Sequence, residues 1–454
     1  MFFMLTPLIK LFQTGNNILF YNIKISENIY IPFLIGWLAA TSMFFMIKLK
    51  FFNIKNLIKS FMLCFNKKLP HNQLELSPRK IVLTAIGSSV DLGSVFGVAL
   101  GVVIGGPGVI FWLIVAGIFG TSIRFIEVFA SHKYRNHLNK TSFGGPHLYI
   151  ERIFSELNLH KTGKVIAFIF ALFFTFSTFC SLQVNQTVSV ITEHSFQLQN
   201  YRFLTCIIFA SIIIISINTG MAKITKIAEK IVPWMTICYF ICTAIVLIFH
   251  YDKILSSIFL ILKDALSFNN VKGNTLGCFV IGMQRAFFCN EAGMGTGAIV
   301  HASSDNKNTL LEATISMVTP VISVLVVCLC SGVVVVISGA YNHNLNDGIK
   351  IIIQAFESVH PLLRFVIFLV VPVFGYTTAI SWGYCGNRTW CYLFGEKSSK
   401  IYYIVLFVSY IVCGMVKDFG FMLDIADLMN LSITIPNILA LMFFVSKKDI
   451  LKKS

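Results

Sequence analysis

The chain has 454 residues, of which 56% are hydrophobic and only 12% charged, whereas a soluble domain carries about 25% charged residues. Length alone would allow two or three soluble domains. The apolar residues arrive in long blocks, however, and roughly 20 in a row cross about 30 Å of hydrocarbon. That excludes a soluble fold, and the net charge of +16 is laid out as a membrane-topology signal rather than as a nucleic-acid surface.

Eleven candidate spans follow one another at 31–47, 81–104, 107–131, 165–192, 203–217, 231–250, 273–300, 310–338, 365–386, 401–416 and 419–445. They predict an all-α polytopic membrane protein of about eleven transmembrane helices. Residues 1–30 lack a small-residue cleavage site and contain Lys10, Lys24 and Glu27, so the first span is expected to stay as a membrane helix. With the intervening segments assigned alternately and the N-terminus outside, 25 Lys and Arg fall inside and 9 outside. Such a bias sets an N-out, C-in orientation, with Asn344 outside and Lys400 inside, and a basic inner face suits anionic lipid headgroups. Lys outnumbers Arg 28 to 8, a codon-supply signature of an AT-rich bacterial genome, hence of a bacterial inner membrane. The twelve cysteines form no CxxC pair and read as small buried hydrophobes.

In the second span Gly93, Gly97, Gly101 and Gly105 recur every four residues, which lines them on one helix face for close packing. Just upstream, Gly87, Ser88, Ser89, Asp91 and Ser94 concentrate small polar groups and a carboxylate at membrane depth. Packing explains the glycines but not Asp91, which by its cost marks a pathway. In the third span Glu127 follows Arg124 by three residues, a same-face ion-pair spacing. The fourth span offers two amides, Gln183 and Asn185, on different faces. The seventh span carries Arg285, Asn290, Glu291, Gly293, Gly295 and Gly297. So polar and glycine-rich a stretch implies irregular backbone, tolerated at this depth only where protein or a water-filled cavity satisfies it. Glu291 is expected to pair with Arg285 or to cap exposed backbone. In the ninth span Thr377 and Thr378 cannot share a face, so one can bond its own helix while the other supplies an oxygen to a hard cation; Trp382 can wall a pocket. His147 and His301 have no metal constellation around them.

Without the first span, the broken helices are first and sixth of ten. Two sets of five then have opposite orientations, and broken helices in corresponding positions of inverted repeats point to a transporter's central site. The expected division is 1–80 (first helix and basic loop), 81–250 and 251–446 (the two five-helix repeats) and 447–454 (a basic tail). No selectivity loop suggests a channel, and no nucleotide, zinc or nucleophile motif suggests an enzyme.

Many ordered segments carry a resemblance: Gly105-Gly106-Pro107-Gly108, Arg124-Phe125-Ile126-Glu127, Gly144-Gly145-Pro146, Gln183-Val184-Asn185, Phe288-Cys289-Asn290-Glu291-Ala292-Gly293-Met294-Gly295, Thr377-Thr378, Trp382, and Ile425-Ala426-Asp427 with Ile435-Pro436-Asn437. Together the chain resembles the alanine or glycine:cation symporter family, whose fold shares the leucine transporter's inverted five-helix repeat with one extra N-terminal helix. The resemblance implies co-transport of a small neutral amino acid with sodium, no cofactor and no obligatory protein partner. The family's usual Gly-Thr-Gly-Asn reads here Asp91-Leu92-Gly93-Ser94, so Ser94 stands where relatives bind substrate through an asparagine. Ser323, Asn387 and Cys391 likewise stand where acidic residues are common. For the cargo, the expected contacts are Gly93, Ser94, Gln183, Asn185 and Trp382. For the monovalent cation or its coupling they are Gly87, Ser88, Ser89, Asp91, Thr377 and Thr378. Asp91 is open to three roles: sodium ligand, countercharge to a cargo amine, or proton carrier. Arg124, Glu127, Arg285, Asn290, Glu291 and Gly293 are expected to gate or support.

Overall fold

The computed structural model describes residues 22–26, 29–65, 76–138, 141–195, 198–266, 277–343 and 347–447. The outermost N-terminus, Asn344 and the basic tail beyond Lys447 lie outside the described residues. A small antiparallel hairpin, β1 (Asn22–Ser26) and β2 (Ile29–Pro32), leads into α1 (Phe33–Lys48) and the short α2 (Leu57–Phe65). The first broken span is α3 (Pro78–Ser89), then a π-helical turn Gly93–Gly97 running into α4 (Val98–Gly105), the halves bent by 53°. Next come α5 (Val109–Lys133), a second hairpin of β3 (Asn136–Leu138) and β4 (Thr141–Phe143), and α6 (Pro146–Ser155). The span over His160–Thr192 is itself interrupted, between α7 (His160–Phe179) and α8 (Leu182–Ser189). Then follow α9 (Arg202–Asn218), α10 (Met221–Phe249), α11 (Ile254–Leu266) and the second broken span, α12 (Gly277–Cys289) with α13 (Thr296–Ala302). The chain closes with α14 (Thr309–Ser316), continuing through π-helical turns to α15 (Leu329–Ser338), α16 (Gly348–Glu357), α17 (Leu363–Phe394), α18 (Ser399–Met415) and α19 (Phe419–Lys447).

Among the described residues the expected apolar blocks fall mainly on helix, and the protein is an all-α multi-pass membrane protein apart from the two hairpins. Among the described residues eight helices are long and apolar enough to cross a bilayer, or nine with the bent pair as one span. The other two apolar blocks form shorter helices, Phe33–Lys48 and Gly277–Cys289. Sequence reading missed α2, α6, α11 and α16, which lie between spans and are apolar on one face only. In α16, Ile349, Ile352 and Phe356 are buried. That i, i+3, i+7 stripe is the signature of a helix lying on a core rather than crossing lipid.

The outer surface is oily where a bilayer would meet it. In α9 and α18 only 28% of the apolar window is buried, and Ile208, Ile215, Ile404 and Val408 are exposed. Contiguous exposed apolar surface of this kind marks contact with lipid. The interior instead buries polar groups, and these gather where the broken helices meet. The cysteines among the described residues are free thiols.

Candidate functional site

Helix α3 stops because Val90 leaves the helical region (φ −83°, ψ 86°). Asp91 then caps the second half. Its Oδ1 accepts the Ser94 backbone N–H at 2.7 Å and the Ser94 hydroxyl at 2.8 Å. Gln183, from the start of α8, clamps the same turn: Nε2 donates to Asp91 Oδ2 (2.8 Å), while Oε1 accepts the Leu92 N–H (3.2 Å). Backbone donors freed by the break are thus met by side chains, as hydrocarbon demands.

The second break runs from Asn290 to Gly295. Glu291, Gly293 and Gly295 take φ of 49°, 91° and 88°, so a non-glycine residue holds a left-handed conformation just before two glycines that adopt it without Cβ strain. Asn290 Oδ1 accepts the Ala292 N–H at 2.8 Å. Glu127 Oε1 accepts the Gly295 N–H (3.1 Å) and Asn437 Nδ2 (2.7 Å). Asn437 Nδ2 also donates to Gly293 O at 2.8 Å, and the Tyr149 hydroxyl donates to Asn437 Oδ1. Arg124 Nη2 donates to Asn290 O at 2.6 Å, and Nη1 lies 3.8 Å from Glu127 Oε2, both side chains fully buried. The expected three-residue pair therefore forms, as the brace of the second break.

Glu291 reaches across to the first break. Its Oε2 accepts the hydroxyls of Ser88 (3.0 Å) and Thr296 (2.5 Å), and its Oε1 accepts Trp382 Nε1 (2.5 Å). The expected pairing of Glu291 with Arg285 does not form. Helix α12 ends at Cys289 and the left-handed turn at Glu291 aims its side chain elsewhere. Arg285 pairs instead with Asp427 Oδ2 on α19 at 2.9 Å, where Gln284 Nε2 also donates at 3.1 Å. The glycine face of the first broken span packs on this arginine: a Cβ at Gly101 would sit 3.2 Å from Arg285 Cγ and from Ile281. The two broken helices cross there.

Between them lies a cavity of about 60 Å³. Asp91 and Gly93 line it from the first break, Arg285, Phe288 and Glu291 from the second, and Ser177, Thr178, Ser181 and Gln183 from the α7–α8 interruption. Trp382, Asp427 and Asn430 complete it. Trp382 is held flat against Phe174, with ring centroids 5.5 Å apart and planes 10° apart.

Of the residues expected to hold cargo, Gly93, Gln183 and Trp382 line this cavity and two do not. Ser94 is fully buried behind Asp91, its hydroxyl used there and on Ser89 O. Asn185 points away, donating to Cys413 O and Val416 O at 2.8 and 2.7 Å, because it sits two residues on from Gln183 and so on another helix face. Of the cation candidates Asp91 lines the cavity, whereas Gly87, Ser88, Ser89, Thr377 and Thr378 are not among its lining residues. Thr378 Oγ1 donates to Gly87 O at 3.0 Å across the helix interface, while Thr377 bonds Val373 O and Phe374 O of its own helix. Thr377 thus serves its own helix, while Thr378 is engaged with a neighbouring one. Ser89 bonds Ala85 O within α3. His301 is buried against Glu312 (2.7 Å).

Sequence reasoning missed the roles of Asp427, Asn430, Ser177, Thr178 and Tyr149. Asp427 carried a usable signal, since an acid in an apolar helix of 29 residues marks a pathway as Asp91 does. The α7 hydroxyls carried none, for threonine and serine in membrane helices commonly bond their own backbone.

The model of the sodium:alanine symporter family matches residues 17–452. The chain belongs to the sodium:alanine symporter family. Its similarity extends to the sodium/alanine symporter AgcS of Methanococcus maripaludis, 28% identical over 90% of this chain and 91% of that protein. The probable sodium/glutamine symporter GlnT of Bacillus subtilis is 26% identical over 91% of this chain and 85% of its own length. The amino-acid carrier protein AlsT of the same organism is 25% identical over 90% and 86%. Membership in the sodium:alanine symporter family identifies a multi-pass transporter of the amino-acid and sodium class.

Proposed function

We propose that the protein is a secondary active symporter. It carries a small amine-bearing solute together with sodium across the bacterial inner membrane, alanine and glutamine being the cargoes named for its relatives. The observation that carries this reading is that both broken helices meet at one small cavity and Glu291 bonds across from one break to the other. Binding there acts on both halves of the molecule at once. Trp382 limits cargo size, and Asp91 and Glu291 face the cavity as acceptors for an ammonium group. For sodium, the Gly87 carbonyl and the Thr378 hydroxyl, 3.0 Å apart, are hard oxygens of the right kind. Asp91 is also a site through which a proton gradient could substitute for sodium.

The reading includes the five-plus-five arrangement, 81–250 against 251–446, as an inverted repeat that rocks about the cavity, with the N-terminus outside. The test is a substrate-by-cation uptake matrix in proteoliposomes, with empty vesicles as control. Accumulation of a small amine-bearing solute driven by an inward sodium gradient supports it. Failure of every solute under both sodium and proton gradients would leave a transport-inactive membrane protein instead.

A further inference from the structure

The cavity is lined by more carboxylates than cationic side chains. Asp91, Glu291 and Asp427 line it with a single cation, Arg285, which is committed to Asp427 at 2.9 Å. Arg124, the other buried cation near the breaks, donates to Asn290 O and lies 3.8 Å from Glu127 Oε2. Among the described residues neither Asp91 nor Glu291 has a cationic side chain at ion-pair distance; every hydrogen bond they accept comes from a neutral donor.

The groups that would greet a cargo carboxylate are occupied as well. A broken helix receives an anion through the unpaired N–H groups of its second half. In the first broken span the Ser94 N–H is taken by Asp91 Oδ1 and the Leu92 N–H by Gln183 Oε1. In the second, the Gly295 N–H is taken by Glu127 Oε1. Each half-helix start is thus already served by a carboxylate of the protein, and the Asp91 carboxylate lines the cavity itself.

We infer that Asp91 supplies, as a resident group, the carboxylate that an amino-acid cargo would otherwise bring, so that the site selects small carboxylate-free primary amines over the matching zwitterions. The ammonium of such a cargo meets Asp91 and Glu291, and its neutral end faces Trp382. A zwitterion would set a third unpaired carboxylate beside these two. The inference rests on the symport reading for the place of the cargo and narrows its class.

Three probes of one size separate the charges: alaninamide has the ammonium alone, alanine has both charges, and propionate the carboxylate alone. Their binding is measured by thermal stabilisation of the purified full-length protein in sodium buffer on the acid side of neutrality. Wild type is expected to bind alaninamide about tenfold or more tightly than alanine, a difference of roughly 1.4 kcal/mol, and propionate not at all. Asp91→Asn keeps an oxygen for the Ser94 N–H but loses the charge, and should erase the preference. Asp91→Gly, which frees the N–H groups, should reverse it. Tighter binding of alanine by wild type, an unchanged preference in Asp91→Asn, or stabilisation by none of the three would overturn the inference. If the variants do not fold, the wild-type ranking alone decides. Sodium-driven uptake of labelled alaninamide is a separate measurement: binding without accumulation defeats the symport reading and leaves the inference standing.

Discussion

The Arg285–Asp427 pair permits a quantitative test of how the second broken helix is held to α19. At 2.9 Å and an effective dielectric constant of about 20, Coulomb's law gives about 6 kcal/mol. The side chains are 13% and 9% exposed, so water from the cavity screens part of this and about 3 kcal/mol is the expected cost of breaking the pair from one side. Asp427→Asn leaves the guanidinium over the Gly97–Gly101 face without the carboxylate it pairs with at 2.9 Å. Arg285→Met keeps the aliphatic stem that touches Gly101 and leaves Asp427 with Gln284 as its only neutral donor. The double variant Arg285→Met/Asp427→Leu removes both desolvation penalties, so it should cost less than the two singles summed by about 2 kcal/mol, or roughly 30-fold in the unfolding equilibrium. The assay is reversible unfolding in mixed micelles of rising denaturing-detergent fraction, on all four proteins. Additivity within about 0.5 kcal/mol would show that solvent already screens the pair and that packing alone holds α12 to α19.

Three other experiments test separate links. Gly97→Ala should be tolerated, because its Cβ would lie at an ordinary 3.7 Å from Arg285, whereas Gly101→Leu must displace both Arg285 and Ile281 from 3.2 Å and should lose uptake at matched protein level; equal behaviour of the two variants would place this face against compliant neighbours. Thr378→Val removes the hydroxyl beside Gly87 O and should raise the sodium concentration for half-maximal transport about tenfold while costing the fold only about 1 kcal/mol; an unchanged sodium dependence would move the cation elsewhere. Cysteine labels at the exposed Tyr251 and near Lys400 should react from opposite sides of the membrane, Tyr251 from outside, and labelling of both from one side breaks the alternating topology.

Composition and hydropathy located the helices well, because the need to hide backbone polar groups in lipid acts on every residue of a span and leaves a long, local signal. The breaks were legible for a related reason. Gly87-Ser88-Ser89 with Asp91, and Gly293 with Gly295, are costly in an intact lipid-facing helix. Partners across the break were not legible. Glu291 was weighed against Arg285, six residues away, whereas its donors Ser88 and Trp382 lie 203 and 91 residues off. Nothing in a single sequence ranks such distant donors. The same limit explains Asn185 and Ser94: residue type suits them to a binding site, but one step of helical phase turns Asn185 toward the end of α18, and the cap made by Asp91 consumes the Ser94 hydroxyl.

The three interruptions that line the cavity also repair one another. Gln183, at the α7–α8 interruption, bonds Asp91 and the Leu92 N–H of the first break. Ser88 of the first break bonds Glu291 of the second. Trp382 bonds Glu291, and Thr378, one turn earlier on the same helix, bonds Gly87 O of the first break. Because each break leaves backbone groups that hydrocarbon cannot satisfy, none can open alone without orphaning a partner in another. An amine drawn to Asp91 competes with Gln183 for the same carboxylate, and a cation at Gly87 O competes with Thr378 for the same carbonyl. Under the symport reading that competition is the physical content of coupling. Cargo at Asp91 and ion at Gly87 O each shift a bond on the first broken span, so both bias one equilibrium rather than two independent ones.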